Sequence, residues 1–206
     1  TNKEEYEKQL SYVPEPFADY VQILSPNFMG VLNADGSFAY RFSSAATPKQ
    51  LVSLGQSKGA RVVPLMMVTG SDASDVLRDS AKRAAFVAST EKMLRETNAD
   101  GILVDAEALD DDVKDSLTSL MSELYAKLHA EGKLVMMAVP AKTGEAEPSW
   151  NVEYCYESLA PYVDYIQIMS YDYSSGTPGP IAPIDWMRKV MAYSASCIPS
   201  EKVLMG

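Results

Sequence analysis

Asp100-Gly101-Ile102-Leu103-Val104-Asp105-Ala106-Glu107 is a short apolar run, entered through Asp-Gly and closed by two acids. It follows a charged, helix-like segment and reads as a buried strand with carboxylates at its end. Side chains alternate along a strand, so Leu103, Asp105 and Glu107 share one face and Ile102, Val104 and Ala106 the other. Burying an unpaired carboxylate is costly, and a second one about 7 Å along the same strand makes joint ionisation harder. One of the two acids is therefore expected to hold its proton near neutral pH. A proton donor beside an anion suits cleavage of a glycosidic bond. The plainer alternative is that both acids open the loop into the next helix and are solvated there.

Outward from this strand, the chain alternates apolar runs with helical segments. Thr1 to Leu10 suits a short helix closed by Pro14 and Pro16. Residues 19 to 25 read as a first strand, with Ser25, Asn27 and Phe28 at its exit, and Asn33-Ala34-Asp35-Gly36 is hairpin-turn chemistry. Thr47-Pro48 opens a helix that ends near Gly59. Arg61 to Val68 is a second strand, and residues 75 to 97 are helical with a break near Asp79. Beyond the Asp-Gly strand, Val113, Leu117, Leu120, Met121, Leu124 and Leu128 mark a helical stripe ending at Gly132. Lys133 to Pro140 is the fourth strand, residues 142 to 149 a polar loop and residues 152 to 162 a short helix. Tyr165 to Tyr171 is the fifth strand, residues 174 to 183 a Gly/Pro-rich loop and residues 184 to 197 a helix, with a sixth strand from Lys202.

Strands this uniformly apolar indicate a parallel sheet covered by helices, met by both doubly wound sheets and barrels. No glycine-rich phosphate loop follows any strand, which weakens nucleotide-binding folds. Polar residues cluster after strand ends instead: Asn27, Asp105 with Glu107, Lys142, and Tyr171 with Asp172. A (β/α)8 barrel gathers such ends into one site. The expectation is a single domain over residues 1–206 of the α/β class, a TIM-type barrel that is incomplete, with about six core strands and the first and last missing.

Composition removes several functions. A net charge of -10 opposes nucleic acid and anionic membrane surfaces as partners, and no apolar run is long enough to insert in a membrane. Cys155 and Cys197 are too few for a disulfide scaffold and read as two buried thiols, with one bridge as the alternative. His129 is the only histidine and falls in a helix away from the acidic strand, so imidazole triads and histidine-based metal sites lose support. Asp110 to Asp112 favour a helix dipole rather than a calcium loop, which needs more spaced oxygen ligands and a central glycine. No cofactor and no metal are expected.

Asp100, Gly101, Asp105 and Glu107 also occupy four of the five fixed positions of the signature Asp-Gly-x-Asp-x-Asp-x-Glu. Met169-Ser170-Tyr171-Asp172 is similar to a Met-x-Tyr-Asp strand end. In these motifs the sequence resembles glycoside hydrolase family 18, the chitinase-like enzymes. Residues 138–142, residues 179–186, and Ser25-Pro26 followed by residues 33–36 are similar to its bacterial spore-germination and cortex-lytic subgroup. The resemblance implies hydrolysis of a β-linkage at N-acetylglucosamine units of peptidoglycan or a chitin-like glycan. The substrate's own acetamido group acts as nucleophile, with retention.

On that resemblance Glu107 is the acid and later the base, Asp105 orients the acetamido nitrogen and Tyr171 bonds the acetamido oxygen. Asp172, Met169, Gln167, Asn27 and Trp186 are the candidate sugar contacts, with Trp150 a weaker one. It further implies action outside the cell, at the wall or spore envelope, and wall-binding modules beyond this stretch. Leu103 stands where most members carry Asp, or Asn in the cortex-lytic branch. Leucine leaves Asp105 an apolar neighbour, which is expected to raise its pKa and weaken it as an anion. Two functions of different class therefore stay open: a glycosidase, or a sugar-binding module without turnover.

Overall fold

The computed structural model describes residues 3–27, 30–42, 44–69, 71–145 and 151–206. Helix α1 covers Lys3–Leu10, and strand β1 covers Ile23–Leu24. The hairpin β2 (Val31–Leu32) and β3 (Phe38–Ala39) comes next, followed by α2 (Ala46–Ser57), β4 (Arg61–Val62) and β5 (Leu65–Thr69). Two helices, α3 (Ser71–Arg78) and α4 (Ser80–Thr97), lead to β6 (Gly101–Glu107). The remainder is α5 (Lys114–His129), β7 (Leu134–Pro140), α6 (Tyr156–Leu159), β8 (Tyr165–Met169), α7 (Ile184–Cys197) and β9 (Val203–Met205).

Strands β5 to β9 form a five-stranded parallel sheet in chain order, and β1 pairs with β4 in parallel. The two sheets meet through backbone bonds. Val63 N–H donates to Leu24 O at 2.8 Å, Leu65 N–H to Pro26 O at 3.2 Å, and Leu103 N–H to Pro64 O at 3.0 Å. The second strand expected from sequence is thus split in two at Pro64, which has no N–H to give the ladder. Strand order never reverses, as it must in a doubly wound sheet.

One face of the array packs against the helices. Val62, Met66, Val68, Ile102, Val104, Ala106, Val135, Met137, Val139, Ile166 and Ile168 join Leu51, Phe86, Leu94, Leu117, Leu124 and Leu159 in a single apolar core. The opposite face carries a small separate cluster of Val63, Leu103, Met136 and Ala138, flanked by Ile23, Leu65, Leu134, Tyr165, Met169 and Leu204. Strand residues and Val63, in the short link between β4 and β5, build that second cluster. The alternation expected for β6 holds, with Leu103, Asp105 and Glu107 on the helix-free side.

Two strand entries share one device. Asp100 Oδ2 accepts from Val62 N–H of β4 at 2.7 Å, and Asp164 Oδ2 accepts from Val135 N–H of β7 at 2.8 Å, each satisfying a backbone donor on an earlier strand. Gly101 has a steric reason: an added Cβ would lie 2.2 Å from Leu134 O. Gly101→Ala must push β6 and β7 apart and is expected to destabilise the fold by about 2–3 kcal/mol, read by chemical denaturation.

Several boundaries differ from the sequence reading. The first strand is only Ile23–Leu24, because Phe17–Asp19 closes into a 3-10 turn with Phe17 buried. The break at Asp79 is an N-cap: Oδ1 accepts from Ala81 N–H at 2.8 Å and Lys82 N–H at 3.2 Å. The fifth strand stops at Met169, not Tyr171. The helix expected over 152–162 is reduced to α6 and a 3-10 turn at Ala160–Tyr162. Cys155 is buried and Cys197 half-buried, both free thiols.

Candidate functional site

The β-ladder stacks the helix-free side chains in levels. Leu65, Leu103, Met136 and Tyr165 lie abreast at the bottom. Met67, Asp105, Ala138, Gln167 and Leu204 form the next level, and Thr69 pairs with Glu107 above it. Asp105 therefore sits on an apolar plug and beneath Glu107. It is 9% exposed, and its Oδ1 has no hydrogen-bond partner among the described residues. Burial, then the neighbouring Glu107 charge and a hydrogen bond with Glu107, push the Asp105 carboxyl up to about 6. Leucine at 103 offers no donor from below, as its apolar side chain implied.

Glu107, half-buried, opens into a cleft of about 490 Å³, within the size range of small-molecule sites. Pro140 and Ala141 from the end of β7, Met169, Tyr171 and Asp172 after β8, Tyr173, Ser175 and Trp186 line it with Glu107. Ala108, Leu109, Glu153 and Tyr154 complete the wall. Glu107, Glu153 and Asp172 are its charged members, all acidic. Tyr171, 40% exposed, feels burial first and then the charges of Asp105, Glu107 and Asp172, which together raise its hydroxyl pKa. That ordering puts its phenol within electrostatic reach of both acids. Tyr173 and Trp186 pack with ring centroids 5.1 Å apart, forming an aromatic edge at the cleft.

Non-glycine residues with left-handed backbone follow both key strand ends, at Ala108 (φ 53°) and Asp172 (φ 57°). Each costs about 1–2 kcal/mol, and such strain gathers where geometry serves a site. Tyr171 is already out of the strand, since Ser170 N–H donates back to Ile168 O at 2.9 Å, and the turn at Asp172 follows it. Beyond Ala108 the loop is tied down: Arg78 Nη2 donates to Asp110 Oδ2 and Asp112 Oδ1, each at 2.5 Å, and Asp110 N–H donates to Ser74 Oγ at 3.0 Å. The acids at 110–112 thus have an arginine partner that periodicity did not reveal.

Of the sequence-derived candidates, Glu107, Tyr171, Asp172, Met169 and Trp186 line the cleft. Asp105 and Gln167 lie one level down, and Gln167 is half-buried. Asn27 is exposed and stands off the cleft wall, its Nδ2 donating to Met67 Sδ at 3.5 Å beside Asp105. Phe28 and Trp150 lie outside the described residues. His129 is remote, stacked on Tyr125 and 3.4 Å from Asp164. No group of three or more His, Cys, Asp or Glu suited to a metal occurs among the described residues.

The sequence reading missed the wall at 153–154. Tyr154, 2% exposed, donates its hydroxyl to Ala106 O at 2.7 Å, gripping the backbone between the two acids of β6. Lys142, fully buried, donates Nζ to Tyr154 O at 3.2 Å and lies 5.8 Å from the centroid of the Tyr156 ring, while Tyr156 hydroxyl bonds Pro140 O. The lysine noted after the fourth strand therefore anchors the wall rather than entering the cleft. Nothing periodic marks residues 151–155; the only signal was the density of tyrosines.

A model of glycosyl hydrolases family 18 matches residues 3–206. Among curated relatives, the candidate sporulation-specific glycosylase YdhD of Bacillus subtilis is 29% identical over 71% of this chain and 37% of its own length. A cortical fragment-lytic enzyme of Bacillus anthracis is 22% identical over 70% of this chain and 36% of its own length. The crystal structure of the C-terminal domain of a candidate chitinase from Desulfitobacterium hafniense is 34% identical, with a TM-score of 0.94, covering 98% of this chain and 62% of that one. The chain thus spans just over a third of the length of these two curated relatives.

Proposed function

The chain belongs to glycosyl hydrolases family 18, and from that premise we propose that it hydrolyses β-linkages at N-acetylglucosamine units of a peptidoglycan or chitin-like glycan. The observation that carries this reading is the stacked pair: Glu107 in the cleft, Asp105 buried directly below it with a raised pKa. One proton shared near neutral pH supplies the acid for the leaving oxygen. The acetamido carbonyl oxygen attacks the anomeric carbon as Glu107 gives its proton to the leaving group. Asp105 stabilises the positive oxazolinium-like intermediate, Tyr171 hydrogen-bonds the acetamido oxygen, and water activated by Glu107 then opens the ring with overall retention. Asp172, Met169 and Trp186 contact the sugar, with Gln167 and Asn27 supporting the level below. No cofactor enters this chemistry.

The parallel strands in unbroken chain order are read as six strands of a (β/α)8 barrel, whose C-terminal strand ends hold the site. An acidic cleft fits a neutral glycan and neither nucleic acid nor an anionic membrane surface. The relatives named for sporulation and cortical fragments support work on spore or cell-wall glycan; action outside the cell and wall-binding modules in the whole protein are part of the proposal.

The test is release of shorter products from an N-acetylglucosamine pentamer by the whole protein. Leu103→Asn refines it. An amide below Asp105 gives the orphaned Oδ1 a donor and favours the anion, so the rate is expected to rise about fivefold to tenfold. An unchanged or lower rate removes Leu103 as the brake. Binding of the pentamer with no product from either protein favours the sugar-binding module.

A further inference from the structure

We infer that Glu153 sets the specificity of the cleft, accepting a hydrogen bond from an uncharged sugar unit and turning away one that carries a carboxylate. This rests on the glycan-binding reading of the cleft and narrows its substrate class. Glu153 lines the cleft together with Glu107, yet is only 2% exposed, and its Oε2 has no hydrogen-bond partner among the described residues. A carboxylate buried in that state loses its hydration without replacement, which costs more than the same loss for a neutral group. Such orphaned groups in folded proteins call for a ligand, water or functional role.

Its own backbone N–H donates to the Glu153 carboxylate, but among the described residues nothing answers Oε2. Lys142 is its cationic neighbour, but Lys142 Nζ is committed to Tyr154 O and stands 3.9 Å from Glu145 Oε2. Burial, the largest influence, raises the Glu153 pKa; a hydrogen bond from its own backbone N–H opposes it, and the charge of Asp111 then outweighs the smaller pull of Lys142. Two residues away, Asn151 is fully buried with both amide atoms unpartnered among the described residues, so this wall has unused polar capacity. A hydroxyl or amide N–H of a bound sugar would give Oε2 the donor it lacks. A sugar carboxylate would instead meet Glu153, Glu107 and Asp172 with no cationic side chain among the described residues of the lining.

The whole protein is assayed on two probes: an N-acetylglucosamine pentamer, and an alternating N-acetylglucosamine–N-acetylmuramic acid tetramer with free lactyl carboxylates. The wild type is expected to favour the neutral probe by about tenfold or more in kcat/KM. Glu153→Gln, which keeps the shape and removes the charge, is expected to raise KM for the neutral probe about fivefold, to affect kcat far less, and to erase most of the preference. A wild type indifferent to the two probes, or a folded Glu153→Gln with unaltered KM and preference, overturns the assignment. Should Glu153→Gln fail to fold, Glu153→Ala, which also removes the charge, serves with the same two outcomes, and the wild-type preference between the two probes is read regardless. Absence of turnover on both probes counts against the hydrolase reading alone, since calorimetric Kd values for the two probes give the same preference without catalysis.

Discussion

Glu107→Gln is expected to lower kcat for an N-acetylglucosamine oligomer by about 10³-fold, with the binding constant within about threefold of wild type. Positioned proton transfer contributes about 10²–10⁴-fold in such reactions, and in the proposed mechanism one group both donates to the leaving oxygen and later takes a proton from water. Glutamine preserves volume and can still hydrogen-bond, so the loss falls on the chemical step. The structure makes this separation clean because Glu107 stands at the cleft surface, half-buried, with Thr69 beside it in the ladder. A variant that lost binding in proportion to rate would mean that Glu107 holds the glycan and does not convert it.

Asp105→Asn is expected to divide stability from activity. Loss of the anion that stabilises a developing cation should cut kcat by about 10²–10³-fold. The fold should gain. Asp105 has a folded pKa of about 6 against about 3.9 in an unfolded chain. The folded state therefore holds this proton more tightly, and its stability falls as pH rises between roughly 4 and 6, then levels off. Asparagine has no proton to lose, and at pH 7 the variant is expected to be more stable by about 1–2 kcal/mol, an advantage absent below pH 4. Denaturation at pH 4, 6 and 7.5 reads this directly. Equal stability of both proteins at all three values would mean that Asp105 is solvated and the pair is not coupled.

The central constellation was legible because its signal is short and periodic. Two acids at i and i+2 on an apolar run must share a face, and the glycine before them is forced by the Leu134 carbonyl. The hairpin at Asn33–Ser37 was equally readable, since Asn33 N–H donates to Ser37 O at 2.8 Å and Gly36 takes φ 87°. What stayed hidden depends on distant pairing. Arg78 reaches Asp110 and Asp112 across more than thirty residues, and Tyr154 reaches Ala106 across almost fifty. No local pattern encodes such pairs. Tyr171 misled in a different way: continuing the apolar alternation extends the fifth strand over it, whereas Ser170 N–H turns back onto Ile168 O at 2.9 Å and the left-handed backbone at Asp172 follows. Aspartate tolerates that backbone better than most side chains, which was the one available hint.

In the proposed mechanism a single strand supplies a donor above and an anion below, and the substrate's acetamido group does the bond-breaking with them. Proton NMR of the first product formed from an N-acetylglucosamine pentamer tests this most directly, with the fully de-N-acetylated pentamer as the comparison. The β-anomer appearing first from the acetylated oligomer, with no turnover of the deacetylated one, is the expected result. An α-anomer first, or equal turnover of both oligomers, would contradict it.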